Sequence, residues 1–309
     1  MKTKKFMKTS LMLIAFLGLF LAGCQKEKDN DTTTDSSSLQ QLSQDDNYLE
    51  IVSDDAMNDV NSLLSGGNLK STAFWPCNAT IDSTEVNNDT ITFYITYDGL
   101  NCRETLYRDG KIEVKKRVGT HWHDEGATVI VKYIDFHITR VSNGKSITVN
   151  GTKTFQNVTG GFIHQLGNQY SSIIFKAWGT MSVTFDDNTT RIWNVARQRT
   201  FTGSPGQLVM TVDGFGTSGN YNNLVVWGIN RNGENFFTKI IQPVVFRQFC
   251  DWNPCAGIKF HEIPAADKRA TITFGYNSNN EPVQGDECPT KYRLDWEKGT
   301  HSGTVYLWL

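Results

Sequence analysis

Proline is scarce, at 7 residues in 309, and neither sign of charge is in excess: 30 Lys and Arg stand against 32 Asp and Glu, for a net charge of −2. That balance implies no basic face for nucleic acid or acidic lipid. Catalytic signatures are missing too. There is no Gly-x-Ser-x-Gly elbow with Ser, His and Asp in order, no phosphate loop and no Glu-x-Asp-x-x-Glu glycosidase strand. The apolar run at residues 10–21 is too short to span a bilayer as a permanent helix. No cofactor is implied. Against these absences stand 26 Gly, 18 Phe and 8 Trp, a composition that suggests a β-rich chain.

The apolar run reads as part of a leader. Lys2, Lys4, Lys5 and Lys8 precede it and Leu21-Ala22-Gly23-Cys24 closes it, an arrangement that resembles the lipobox of bacterial lipoproteins. Residues 1–23 are thus expected to be a cleaved signal peptide, with Cys24 lipidated at the new amino terminus. At about 0.8 kcal/mol per buried CH₂, more than one acyl chain gives stable membrane anchoring. Residues 24–44, rich in Thr, Asp, Ser and Gln, read as a flexible polar tether. Gln25 after the cysteine resembles lipoproteins sent to the outer membrane, and the acidic residues that follow resemble a surface-export signal. The expected location is the outer membrane, lipid-anchored and facing the cell surface. The expected partners are the membrane through the anchor and a glycan or envelope protein, with no nucleic acid.

Residues 45–67 carry the helical signal. Leu49, Val52, Ala56, Val60, Leu63 and Leu64 recur at threes and fours after Asp45 or Asp46 as N-cap, and Gly66-Gly67 ends the run. Glu50, Asp54, Asp55 and Asp59 are expected to form its solvated face. From residue 68 to 309 the period changes to two. Segments 90–97, 111–118, 128–133, 145–152, 178–186, 190–201, 224–230, 236–241, 259–263, 269–274 and 303–309 read as strands, divided by turns such as Arg108-Asp109-Gly110 and Ser142-Asn143-Gly144. Short connections without helical crossovers imply antiparallel neighbours. The fold class is all-β: a large antiparallel meander, curled into a partial barrel or folded into a two-layer sandwich, with one short N-terminal helix.

Cysteine spacing repeats. Trp75-Pro76-Cys77 precedes a strand-like run that leads to Cys102, and Trp252-Asn253-Pro254-Cys255 precedes one that leads to Cys288. The expected disulfides are Cys77 with Cys102 and Cys255 with Cys288, and Cys250 is the alternative partner for Cys288. The order of features also resembles a family of uncharacterised Bacteroidetes-type outer-membrane lipoproteins. The matching residues are Asn101-Cys102, Asp109-Gly110-Lys111-Ile112, Asn150-Gly151-Thr152-Lys153-Thr154, the strand with Trp193 and Arg197-Gln198-Arg199, and Cys288 ahead of the final strands. The resemblance covers residues 75–309 and implies a β-rich exported domain with no established activity.

Two constellations could carry chemistry. His121-Trp122-His123-Asp124 places two imidazoles and a carboxylate in a short segment, the donor set of a hydrolytic zinc site with His121, His123 and Asp124 as ligands. Trp122, Trp178, Trp193 and Trp227 could stack on sugar rings. The expected role is therefore non-catalytic binding or structure at the envelope, with glycan recognition foremost. The alternatives are a half-barrel lipid carrier with an apolar concave face, and a metal-dependent hydrolase at His121 and His123.

Overall fold

The period-two runs do form strands, and all of them join one sheet. The structure is a computed structural model that describes residues 30–65, 76–87 and 89–309. Its strands are β1 (Ala79–Asn87), β2 (Thr90–Leu100), β3 (Leu106–Arg117), β4 (Thr128–Arg140), β5 (Ser146–Asn157), β6 (Ser172–Phe185), β7 (Thr190–Thr202), β8 (Val209–Gly214), β9 (Gly216–Ser218), β10 (Tyr221–Ile229), β11 (Asn235–Arg247), β12 (Pro254–Ile263), β13 (Lys268–Tyr276), β14 (Lys291–Lys298) and β15 (His301–Trp308). Strands that follow one another in sequence are neighbours from β1 to β7 and again from β10 to β15, with β10 beside β7. The short β8 and β9 lie outside the expected series. β8 and β10 share one column between β7 and β11: residues 192–195 of β7 pair with β10 and residues 197–202 pair with β8. On β11, residues 235–239 face β10 and residues 244–247 face β8. β9 pairs with β10. The sheet stays open, since β1 pairs with β2 and β15 with β14 at its two margins.

Glycine on β5 and β6 lets the two backbones approach closely. Gly151 has φ 135° and Gly179 has φ 158°, and a Cβ on Gly179 would lie 2.1 Å from the Thr152 carbonyl oxygen. A side chain there would push β5 and β6 apart.

One helix packs against the inner face of the sheet, its buried residues sharing one core with strands from β2 to β14. α1 (Asn30–Ser65) is 36 residues long and starts fifteen residues before the expected N-cap. The expected flexible tether is thereby corrected for residues 30–44: Leu39 and Leu42 in that stretch are buried at 0% and 2% exposure. Cys24, the leader and Gly66-Gly67 lie outside the described residues. Burial of Leu39, Leu42, Leu49, Val52, Val60 and Leu63, each contributing about 1.5–3 kcal/mol when complete, explains why so polar a segment becomes helical. Among residues 36–64, whose burial is described, only Ser37, Gln44, Ile51, Asn58 and Ser62 are exposed, a strip one residue wide. The helix thus lies in a trough, with sheet on every side but one. An open concave surface could have held an acyl chain; this one holds α1.

Two disulfides brace the sheet. Cys77 bonds Cys102, as expected. The second bond joins Cys250 to Cys288, which corrects the expected Cys255–Cys288 pair. Cys250 ends the short helical turn after β11, whereas Cys255 is buried within β12, its thiol donating to the Asn253 carbonyl oxygen at 3.2 Å. With separations of 25 and 38 residues, each bond would stabilise by about 3.5–4 kcal/mol on the loop-entropy account.

Gly179→Ala should lower stability by about 2 kcal/mol or more, from left-handed strain and the close carbonyl. Chemical denaturation of the variant checks this; an unchanged midpoint would mean that β5 and β6 are not held close at Gly179.

Candidate functional site

Alternation along β7 sends Arg191, Trp193, Val195, Arg197, Arg199 and Phe201 toward the trough, and it is these cations that meet the acidic face of α1. At the amino-terminal end, Arg231 donates to both carboxylate oxygens of Asp45, at 2.8 and 2.6 Å, and stacks over Phe185. Arg191, 1% exposed, donates to Asp46 and lies over the Phe236 ring. Asp46 is also within 3.3 Å of the Thr238 hydroxyl, which lies 2.7 Å from Nδ1 of the buried His261. Midway, Glu50 pairs with Arg197 at 3.2 Å and with Lys259 at 3.4 Å. Asp54 takes Arg199, and Lys153 donates to the Ser53 hydroxyl at 2.5 Å while lying 4.1 Å above the Trp193 ring. At the carboxyl-terminal end, Arg108 bonds Asp55 at 2.9 Å and Asp59 at 2.5 Å and stacks on Tyr97, and Asn101 donates to Asp55 at 2.8 Å.

The expectation of a solvated acidic face is therefore corrected. Each acid on that face is paired with a cation from the sheet, because carboxylates taken out of water require partners of opposite charge. The same surroundings shift protonation. Burial alone would raise Glu50, but Arg197, Lys259 and Arg199 outweigh it and hold the carboxyl at about 2. Burial opposes the charged form of His261 and, with Lys259 and Arg191 nearby, outweighs the attraction of Asp46 and lowers the imidazole to about 4. Asp59 moves the other way: burial raises it despite Arg108.

Beside the middle of this ladder lies a cavity of about 70 Å³, walled by Met57 and Asn61 of α1, Trp122, Phe175 of β6 and Arg197 and Arg199 of β7. Trp122 stacks on Phe175 with ring centroids 5.7 Å apart, and Phe201 meets Phe175 edge-on at 5.8 Å. Asn157, fully buried, fixes the loop that carries Trp122: its side-chain amide donates to the Trp122 carbonyl at 2.9 Å and to the Gly161 carbonyl at 3.0 Å. With Trp122 turned inward, His121 and His123 point outward and are exposed. Their rings stack at 5.4 Å, His123 meets Phe162 at 5.0 Å, and Phe162 stacks on His164 at 5.3 Å. Four rings thus form a row outside the cavity wall. Ile163, next to Phe162, lines the cavity itself.

The expected zinc set is not assembled. Asp124 accepts from the His121 backbone N–H at 2.7 Å and so shapes the turn, and its carboxylate is 3.9 Å from His123. Among the described residues, no group of three His, Cys, Asp or Glu side chains is placed to hold a metal ion. Nor do the four tryptophans form one site. Trp122 and Trp193 are on the trough face, 5% and 2% exposed. Trp178 packs edge-on to Phe215 at 6.3 Å, and Trp227 pairs across the ladder with Asn194, which puts both on the outer face. Trp193 serves as the floor under Lys153 and Arg197.

No protein-family model, curated protein or solved structure matches this chain. The site therefore rests on its own geometry. The residues that sequence reasoning passed over are Phe162, Phe175, Arg191 and Asn61, and it met Arg197 and Arg199 only within the family resemblance. A signal was present for the arginines. On β7 they share their parity with Trp193 and Val195, so period two alone puts them on the apolar face, where a charge must find a partner.

Two outcomes are expected. Arg191→Ala strands the buried Asp46 and should cost about 3–5 kcal/mol, whereas Asp46→Leu with Arg191→Met should recover most of that loss; urea unfolding of both variants checks it. The contributions of His261 and Glu50 to stability should be level above about 6.5. Between 6.5 and 4 the unfolded chain protonates His261 while the folded chain keeps it neutral, so stability falls as pH falls. From about 4.5 toward 2 the unfolded chain protonates Glu50 first, and stability falls further. Melting temperatures that hold steady down to pH 3 would contradict both shifts.

Proposed function

We propose that this chain is an outer-membrane lipoprotein, anchored through Cys24 and facing the cell surface, whose β domain recognises glycans without catalysing a reaction. The observation that carries the reading is the row of rings His121, His123, Phe162 and His164 beside a cavity walled by the Trp122–Phe175 stack. Flat rings presented at one spacing suit the apolar faces of successive sugars. The lipobox-like segment and the resemblance to Bacteroidetes-type envelope lipoproteins support the address, and two disulfides fit an oxidising compartment.

Affinity electrophoresis against a panel of bacterial and plant polysaccharides tests the reading. The chain should be retarded by at least one of them. His123→Ala combined with His164→Ala should abolish the retardation while leaving the melting temperature within a few degrees, because both side chains are exposed. Free migration through every polysaccharide would refute glycan recognition.

A further inference from the structure

Charge is unevenly spread along the ladder inside the trough. At its amino-terminal end two acids, Asp45 and Asp46, meet two arginines, and at its carboxyl-terminal end Asp55 and Asp59 share Arg108. In the middle, Glu50 and Asp54 face Arg197, Arg199, Lys259 and Lys153, which leaves two positive charges in excess in a buried band. Uncompensated charge in a low-dielectric interior is costly and is relieved by losing a proton or gaining a counter-ion. Part of the first response is visible: burial and the neighbouring Arg197 and Arg199 push the Lys153 amine well below its ordinary value.

The cavity opens at this band. Arg197, 3% exposed, and Arg199 both wall it. Among the described residues the Nε of each arginine and Oδ1 of Asn61 are buried with no hydrogen-bond partner. At about 70 Å³ the space is half the ~150 Å³ that admits a benzene ring. A whole sugar ring cannot enter it; a carboxylate or sulfate group can. We propose that the cavity is a subsite for one acidic substituent of a glycan, a uronic acid carboxylate or a sulfate ester. Arg197 and Arg199 supply the charge, Asn61 accepts a sugar hydroxyl, and the sugar ring remains at the mouth beside the row of outer rings. The inference rests on the glycan reading and narrows it to acidic polymers.

Isothermal titration of the full chain with oligogalacturonate, a sulfated galactan oligomer, a neutral galactan oligomer and inorganic sulfate tests it. Three proteins are compared: the natural chain, Ala177→Leu, which fills the cavity from β6, and Asn58→Glu, which places an acid at the mouth from the exposed strip of α1 and does not disturb the core. An acidic oligomer should bind the natural chain and weaken by about tenfold or more in both variants, the scale of a lost charge-assisted hydrogen bond, while the neutral oligomer is indifferent to either change. Uronate and sulfate arms show which substituent the subsite prefers. Neutral and acidic oligomers binding equally well, with no loss in Asn58→Glu, would overturn the subsite and leave glycan recognition standing. No binding of any oligomer, or binding of inorganic sulfate alone, would overturn both.

Discussion

Six carboxylates on one helix must be matched from the sheet if that helix is to lie inside it, and this requirement organises the molecule. Asp45, Asp46, Glu50, Asp54, Asp55 and Asp59 draw partners from β3, β7, β12 and the turn between β10 and β11. Contacts so widely spread over an antiparallel sheet can converge on one helix only if the sheet is curled. The apolar residues of α1 supply the driving force for burial, and the ion pairs fix where along the trough the helix stops. A purely apolar helix could slide or rotate; one bearing acids at set intervals has one register that satisfies them all.

The same requirement leaves room for a site. Bulky arginines pack less closely than leucines, and where Arg197 and Arg199 stand side by side on β7 the packing against α1 opens into the cavity. The Trp122 loop closes its far wall and, in turning Trp122 inward, sets His121 and His123 outward. Buried charge and surface aromatics are thus two faces of one local arrangement, tied together by the amide of Asn157.

Much of this was legible in the residues. Alternation gave the strands of the meander, Asn143-Gly144 and Asn232-Gly233 gave turns, and the repeated cysteine order gave Cys77–Cys102, whereas the expected turn at Arg108-Asp109-Gly110 is corrected to a bulge inside β3, where Gly110 with φ 97° closely approaches Asp135. Of the two expected alternatives the partial barrel is the one realised, as a single sheet open between β1 and β15; a period of two does not by itself state whether strands divide into two layers. The acidic face of α1 misled for a physical reason. A carboxylate stripe has the same pattern whether it faces water or arginine, and only the parity of Arg191, Arg197 and Arg199 on β7 distinguishes the two. The polar composition of residues 30–44 hid the start of the helix in the same way, since Leu39 and Leu42 are too few to show a period by themselves. Cys250 and Cys255 could not be separated by spacing, because the choice depends on the side to which each thiol points.

The ladder has a temporal side. α1 is the first described element of the chain, yet Lys259 reaches Glu50 across 209 residues, Lys268 reaches Ser38 across 230 and Tyr292 meets Ser43 across 249. Contacts of such separation form late, because the loops they close must be ordered before they are rewarded. During synthesis the helix segment must wait, its acids in water, until the last strands are present. A chain cut short before β14 would hold a sheet lined with cations and a helix unable to settle in it, so completion of the carboxyl terminus acts as the checkpoint for folding of the amino terminus.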